Sequence, residues 1–582
     1  MKLAVLALDY DGTIARNDVL DPGVRTAIAA ARTRGIVVLL VTGRILAELQ
    51  RVAGDLHFVD GVVAENGAVL HLPESGRTSL LAPVVPERFL AELRLRGLPF
   101  VAGQCLVDAD ANDAPRLLEV IRACELPLVL IFNRGRVMVT SQGMSKATGL
   151  RAALETLRLS PRNALAIGDA ENDHELLRLA EVGAAVAWGS PALQAAADVV
   201  VPGATPAAIA EYVNRVTPTA RLPVPRQARR RLLLGHLEDG REFSLAARGR
   251  NVLITGDAKS GKSWVAGLLC EQLILQGYCV CAIDPEGDYS SLEGLPGVTV
   301  LGREDAPPTP RDLLRALRYP DRSVVIDLCR LPHDEKLQYV RSVLPALNVL
   351  RRRTGLPHRI LLDEAHYYLH DADAPQLLDL ERNGYTVVTY CASHLPKALL
   401  AATEVMIVTC ESDPAEIAAL RAKCAGCGAV DPAAWVGLSR LHAGQAIALP
   451  ITEEAGGELR LFTIAPRITP HVRHREKYVD VPVSAHRAFV FNTNGQPLRA
   501  RTLRQFVEEL EGTPPALLAG HLTRGDFSRW IADVFGDRAL ASDLRAVEER
   551  YRSGSRDEIV PDLANAVRAR YDLAGEPQPA LA

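Results

Sequence analysis

The sequence predicts an α/β protein built from two successive parallel-sheet domains. Residues 1–216 alternate short apolar, β-rich runs with helical stretches rich in Ala, Leu and Arg, and a second alternation runs from about Leu232 to Ile464. In each region an apolar run ends in a phosphate-handling motif, Leu8-Asp9-Tyr10-Asp11-Gly12-Thr13 in the first and Gly256-Asp257-Ala258-Lys259-Ser260-Gly261-Lys262-Ser263 in the second. Strands alternating with helices give a sheet covered on both faces. Such sheets bind ligands beyond the carboxyl ends of their strands.

In order, the first region reads as strand Leu3–Leu8, helix Pro22–Arg34, strand Ile36–Val41 and helix Ile45–Ala53. The rhythm breaks at about 78–140, where strand-like stretches Phe100–Asp108 and Val129–Thr140 flank a helix Ala114–Cys124, predicting an inserted α+β cap. Thr217–Arg231, with three prolines, reads as a linker between a domain at 1–216 and one at 232–466. Residues 467–582 read as a small α+β or helical module of unassigned role.

Composition narrows the class. At 582 residues the chain is too long for one core. It is 48% hydrophobic and 23% charged, an ordinary globular balance. The net charge, 66 − 70 = −4, gives no overall basic field for nucleic acid. No apolar run approaches the ~18 residues of a membrane span. The first strand begins too early to leave room for a signal peptide. Ten scattered cysteines read as reduced thiols. A cytoplasmic location without membrane contact is the expectation. Only eight of the 66 basic residues are lysine, yet Lys146 and Lys262 fall inside motifs, where a compact ammonium suits a phosphoryl oxygen.

Asp9 and Asp11, two apart at a strand end, both face the crevice. One carboxylate can attack phosphorus while the other trades a proton with the leaving and attacking oxygens. The strand Ile36–Val41 delivers Thr42-Gly43-Arg44, Lys146 begins a helix after Ser145, and the strand Ala164–Ile167 ends in an acidic run containing Asp169, Asn172 and Asp173 that suits Mg²⁺. These four motifs in this order resemble the haloacid dehalogenase (HAD) superfamily of phosphatases. Glu65-Asn66-Gly67-Ala68 and Ser145-Lys146-Ala147-Thr148-Gly149-Leu150 further resemble its Cof-like branch. The resemblance implies a Rossmann-like HAD domain with Asp9 as nucleophile through an aspartyl-phosphate, and Asp11 as general acid and base. Thr42 and Lys146 would be phosphoryl ligands. Mg²⁺ would be held by Asp9, Asp11 through its carbonyl, and Asp169, with Asp173 or Asn172 in support. A small phosphorylated substrate is implied, unnamed because cap loops choose it.

Gly256 to Ser263 lies between an apolar strand and a helix, the context a P-loop needs. Loop amides hold the phosphates, Lys262 reaches the β and γ oxygens, and Ser263 takes Mg²⁺. The strand Ile360–Leu362 ends in Asp363-Glu364, Asp363 for the metal and Glu364 to polarise water. With Asp284-Pro285-Glu286-Gly287-Asp288-Tyr289 and the late run Leu441–Ile447, these motifs resemble the HerA/FtsK group of P-loop ATPases. ATP as substrate, Ser393 as sensor, Arg382 as a possible finger and a homo-oligomer, most often a hexamer, are what that resemblance implies. The favoured function is a Mg²⁺-dependent phosphatase fused to an ATPase. The alternative is a ring-shaped, DNA-engaging motor whose HAD domain is an effector or nucleotide sensor.

Overall fold

The computed structural model describes residues 1–223, 229–303, 305–369, 377–424, 435–449, 459–470, 479, 483, 485–491, 497–535 and 537–571. Among them, the N-terminal sheet has eight strands in the order Val199–Val201, Val182–Val186, Ala164–Gly168, Val5–Leu8, Val37–Val41, Gly61–Ala64, Val69–Leu72 and Arg77–Leu80. The first six are parallel and the last two antiparallel. The central strand Val5–Leu8 is buried at every residue. That is why it reads as an unbroken apolar run rather than an alternation.

The helices follow local chemistry. Asp21 caps Pro22–Thr33 by accepting from the Gly23 and Val24 amides, Pro22 takes the first turn, and Val24, Ala27, Ile28 and Ala31 form the buried stripe. Lys146–Leu157 starts from a capping box between Ser145 and Thr148.

The insertion between the second and third motifs is a separate four-stranded sheet, ordered Leu128–Asn133, Arg136–Ser141, Leu106–Asp110 and Val101–Ala102, with helices Glu87–Leu95 and Ala114–Ala123 against it. Two readings change here. Val129–Thr140 is a hairpin rather than one strand, because Arg134 and Gly135 form a two-residue turn whose shortness hides it in an apolar run. Arg77–Leu80, read as cap, pairs with the core sheet.

A second sheet of eleven strands places Val252–Thr255 between Val405–Val408 and Tyr385–Thr389, with Arg359–Leu362, Val280–Asp284, Ser323–Asp327 and Val298–Gly302 following outward. These seven are parallel; four antiparallel strands, including Arg231–Leu237 and Glu242–Ala246, finish one side. The described part of 217–231 lies against the first region: Leu222 is in its core, Arg229 pairs with Asp198 at 2.5 Å, and Arg231 already belongs to a strand. Direct contacts add to this. Tyr278 donates to Glu181 at 3.0 Å and His358 bonds Asn163 at 3.0 Å. The C-terminal residues form a short hairpin, Phe489–Phe491 with Leu498–Ala500, and helices around an aromatic core of Phe489, Phe491, Phe506, Phe527 and Trp530. No described helix is long and apolar enough to cross a membrane.

Candidate functional sites

The first site forms where three neighbouring strand ends meet a helix start. Asp9 follows the central strand, Thr42 the strand on one side and Asp169 the strand on the other, while Lys146 opens its helix. All four are buried. Lys146 Nζ donates to Asp9 Oδ1 at 2.6 Å, to Asp173 Oδ1 at 2.7 Å and to Asn172 Oδ1 at 3.3 Å. Thr13 Oγ1 donates to Asp9 Oδ2 at 3.0 Å. Burial, with the Asp173 charge, pushes the Asp9 carboxyl up to about 7 against the pull of Lys146. Burial also works against the Lys146 ammonium, but Asp173 and Asp9 outweigh it and hold the proton firmly.

Oxygens of Asp9, Asp169 and Asp173 lie within 4.8 Å of one another, a hard, all-carboxylate set that fits Mg²⁺. Their roles differ. Asp173 Oδ2 accepts the Asp169 and Ala170 amides at 2.9 and 3.0 Å while Oδ1 takes Lys146, so this carboxylate braces the loop and aims the lysine. Asp9 and Asp169 face the crevice. Asp11 is half-exposed and held in a fork by Arg44, at 2.7 and 2.6 Å, so it must leave this guanidinium to serve as acid or base. The Thr42 backbone carbonyl accepts from Asn66 at 3.0 Å, and its hydroxyl from the Arg44 amide at 3.1 Å. A cavity of about 760 Å³ opens over Asp11, Gly12, Arg44, Arg134, Asp169 and Trp188. The indole of Trp188 donates to the Gly12 carbonyl at 2.7 Å. Sequence reading missed the Arg44 fork, Trp188 and Arg134. Arg44 belongs to the Thr42-Gly43-Arg44 motif, and the other two reach the site through folding alone.

The second site is a strand–loop–helix unit. Gly256 and Gly261 take φ of +143° and +104°, values open to glycine, and a Cβ on Gly256 would lie 2.5 Å from the Cys410 carbonyl. Ala258 lies within the same turn. Lys262 Nζ donates to the Gly256 and Asp257 carbonyls at 3.0 and 2.8 Å, curling over its own loop. Ser263 donates to Asp288 at 2.7 Å. Asp288 belongs to a loop gathered by Asp284, which accepts the Gly287, Asp288 and Tyr289 amides. Burial, with Asp288 nearby, nonetheless pushes Asp284 up to about 8.

Asp363 and Glu364 are buried at the end of a strand one removed from the P-loop strand, with Tyr385–Thr389 between them. Ser393 lies on a turn beyond that intervening strand, and its amide donates to Glu416 at 3.0 Å. The strand-end hydroxyl opposite Thr255 is Thr389, which bonds His366 at 3.1 Å. Two loop side chains meet the C-terminal module: Lys259 donates to the Phe535 carbonyl, and Asp257 pairs with Arg487 at 3.3 Å. Arg382 pairs with Asp379 at 3.7 Å, and Arg351 is buried against Tyr385. Cys424 is buried; Cys427 lies outside the described residues.

Comparison with known proteins bears on the first site. A family model described as haloacid dehalogenase-like hydrolase matches residues 6–87 and 101–213. The phosphoglycolate phosphatase of Natronomonas pharaonis is 32% identical over 211 residues, covering 34% of this chain and 91% of that protein. That of Methanothermobacter thermautotrophicus is 29% identical over 223 residues, covering 37% of this chain and 98% of its own. A solved haloacid dehalogenase-like hydrolase from Bacteroides thetaiotaomicron is 19% identical, covers 37% of this chain and all of its own, and superposes with a TM-score of 0.33. Through its N-terminal region, the chain belongs to the haloacid dehalogenase-like hydrolases.

Proposed function

We propose that the N-terminal region is a Mg²⁺-dependent phosphatase that cleaves the ester of a small phosphorylated metabolite through a phosphorylated Asp9. The observation that carries this is the buried Lys146 ammonium held between Asp9 and Asp173 beside Asp169. Mg²⁺, held by Asp9 and Asp169, would supply positive charge to the phosphoryl oxygens. Asp9 attacks phosphorus, and the bond to the ester oxygen breaks. Asp11, protonated, gives that oxygen its proton. Asp11 then takes a proton from water, which attacks the aspartyl-phosphate and frees Asp9 and inorganic phosphate. Lys146 spreads the developing charge. The relatives named above are phosphoglycolate phosphatases, which makes 2-phosphoglycolate the first substrate to assay. Mg²⁺-dependent phosphate release from it, lost on chelation, supports the reading; no hydrolysis across a panel of phosphate monoesters contradicts it.

We further propose that Gly256 to Ser263 bind ATP, with Glu364 polarising the attacking water and Asp363 and Ser263 serving the metal. Two strand spacings, ~10 Å, separate the P-loop strand from the one that ends in Asp363, room for a triphosphate and a water between them. Thr389, at the intervening strand end, is better placed as a sensor than Ser393. ATP turnover lost in Lys262→Ala tests this site. We also propose assembly as a ring, most simply a hexamer; engagement of DNA belongs to the alternative reading. Solution mass, and ATPase rates with and without duplex DNA, decide them.

A further inference from the structure

We propose that Arg134 is the residue through which the cap selects substrates, by holding a carboxylate on the organic part of the phosphorylated substrate. This rests on the phosphatase reading of the first site. Arg134 stands at the tip of the cap hairpin, in the two-residue turn between Asn133 and Arg136. Its φ is +54°. Asn, Asp and Gly are what such a turn favours, so the turn itself does not call for arginine. The side chain leaves the cap, and its guanidinium pairs with Asp169 of the core. It also lies against the Asp11–Gly12 turn, where a Cβ on Gly12 would meet its Nη2 at 2.5 Å.

Other cap arginines behave differently. Arg94, Arg96, Arg116 and Arg136 pair with Glu87, Glu92, Asp113 and Asp108 of the cap itself. Of the other crevice cations, Lys146 pairs with Asp9 and Asp173 and Arg44 with Asp11 and Asp18, while Arg16 lines the cavity as an exposed residue of the core domain. Arg134 is 58% exposed at the side chain and lines the 760 Å³ cavity.

A phosphoryl group at Asp9 and Lys146 must send its organic part outward through this cavity. With a divalent cation on Asp169, the guanidinium is repelled from that carboxylate and left facing the substrate. The cavity walls carry Asp11, Asp18, Asp169 and Glu171 against Arg16, Arg44 and Arg134, four negative charges to three positive. A singly charged carboxylate, matched by the planar guanidinium fork, suits that balance better than a second phosphate dianion.

The test uses the full chain carrying Asp9→Asn, so that ligands bind without turnover. Calorimetry with Mg²⁺ compares 2-phosphoglycolate with ethyl phosphate, before and after adding Arg134→Gln. Arg134→Gln should weaken phosphoglycolate about 10- to 100-fold relative to ethyl phosphate, and Arg134→Lys should restore part of the difference. In the chain with Asp9 intact, the loss should fall on KM for phosphoglycolate more than on kcat. Equal weakening of both ligands, no weakening, or no binding of either would overturn the proposal. Failure of the phosphatase reading is distinct: the native chain would cleave neither ester, whatever the binding difference.

Discussion

The two proposed phosphate sites of this chain set a buried lysine in different surroundings. In the phosphatase site the buried lysine is neutralised by buried carboxylates, Asp9 at 2.6 Å and Asp173 at 2.7 Å. In the P-loop site the lysine bonds two carbonyls of its own loop, and the acidic pair Asp363–Glu364 comes from another strand. The first is a charge network completed by the fold. The second holds its cation on carbonyls of its own loop, within the field of the Glu411 carboxyl. The proposed chemistry fits: a site whose own carboxylate would carry the phosphoryl group needs that carboxylate held in place, whereas a site that would bind ATP needs its donors ready to release.

This contrast can be broken or sharpened by substitution. The largest effect is expected from Asp9→Asn, which removes the nucleophile. Ester hydrolysis should fall by about 10⁴-fold or more, while ATP hydrolysis by the same preparation should persist. Loss of both in this variant would show that the sites do not act separately.

Stability should separate the two lysines. Lys146→Ala strands two buried carboxylates and should cost about 3–5 kcal/mol in denaturant unfolding of the N-terminal region. Lys262→Ala removes bonds to two loop carbonyls, which should cost about 1–2 kcal/mol, yet should abolish ATP turnover. Equal destabilisation by the two variants would refute the contrast.

A smaller effect is expected at Glu364. Glu364→Gln keeps the loop and Lys262, so ATP should still bind, as followed by equilibrium dialysis. Turnover should drop about 10²-fold for want of the water-polarising carboxylate.

The smallest effect concerns the contact between the two regions. His358 Nδ1 accepts the Cys279 amide at 2.8 Å while Nε2 faces the Asn163 carbonyl oxygen at 3.0 Å, so the folded ring is neutral. Burial, with Arg162 and Arg351 nearby, lowers its pKa from 6.5 to about 3. The unfolded chain therefore binds the extra proton first. The stability His358 contributes is complete above pH 6.5 and is lost as pH falls toward 3, by up to about 1.4 kcal/mol per pH unit. Thermal unfolding of native and His358→Gln chains between pH 7 and 5 should show a shallower decline in the variant; identical slopes would remove His358 from the account.

What the sequence disclosed follows from where information is local. Asp9, Thr42, Lys146 and Asp169 lie at strand or helix ends, where an apolar run stops at a polar motif, and all four converge. The Gly256–Ser263 turn is legible for the same reason, its glycines fixing a turn whatever surrounds it. Asp173 was legible as an acid but not as the brace that aims Lys146, because that role depends on amides presented by the folded loop. Arg134 and Trp188 carry no local signal: each reaches the crevice from a separate element. Ser393 follows a strand in the sequence, yet that strand stops at Thr389 and the intervening turn carries Ser393 toward Glu416.

Asp9 as the phosphoryl carrier is the central claim, and trapping tests it directly. Asp11→Asn removes the group that activates water for dephosphorylation. An aryl phosphate, whose leaving group departs without a proton, can still phosphorylate the variant. Acid quenching during incubation with p-nitrophenyl phosphate and Mg²⁺, followed by peptide mass spectrometry, should find one phosphoryl group on the peptide containing Asp9. A chain that cleaves the ester yet carries no adduct there, or carries it elsewhere, would contradict the central claim.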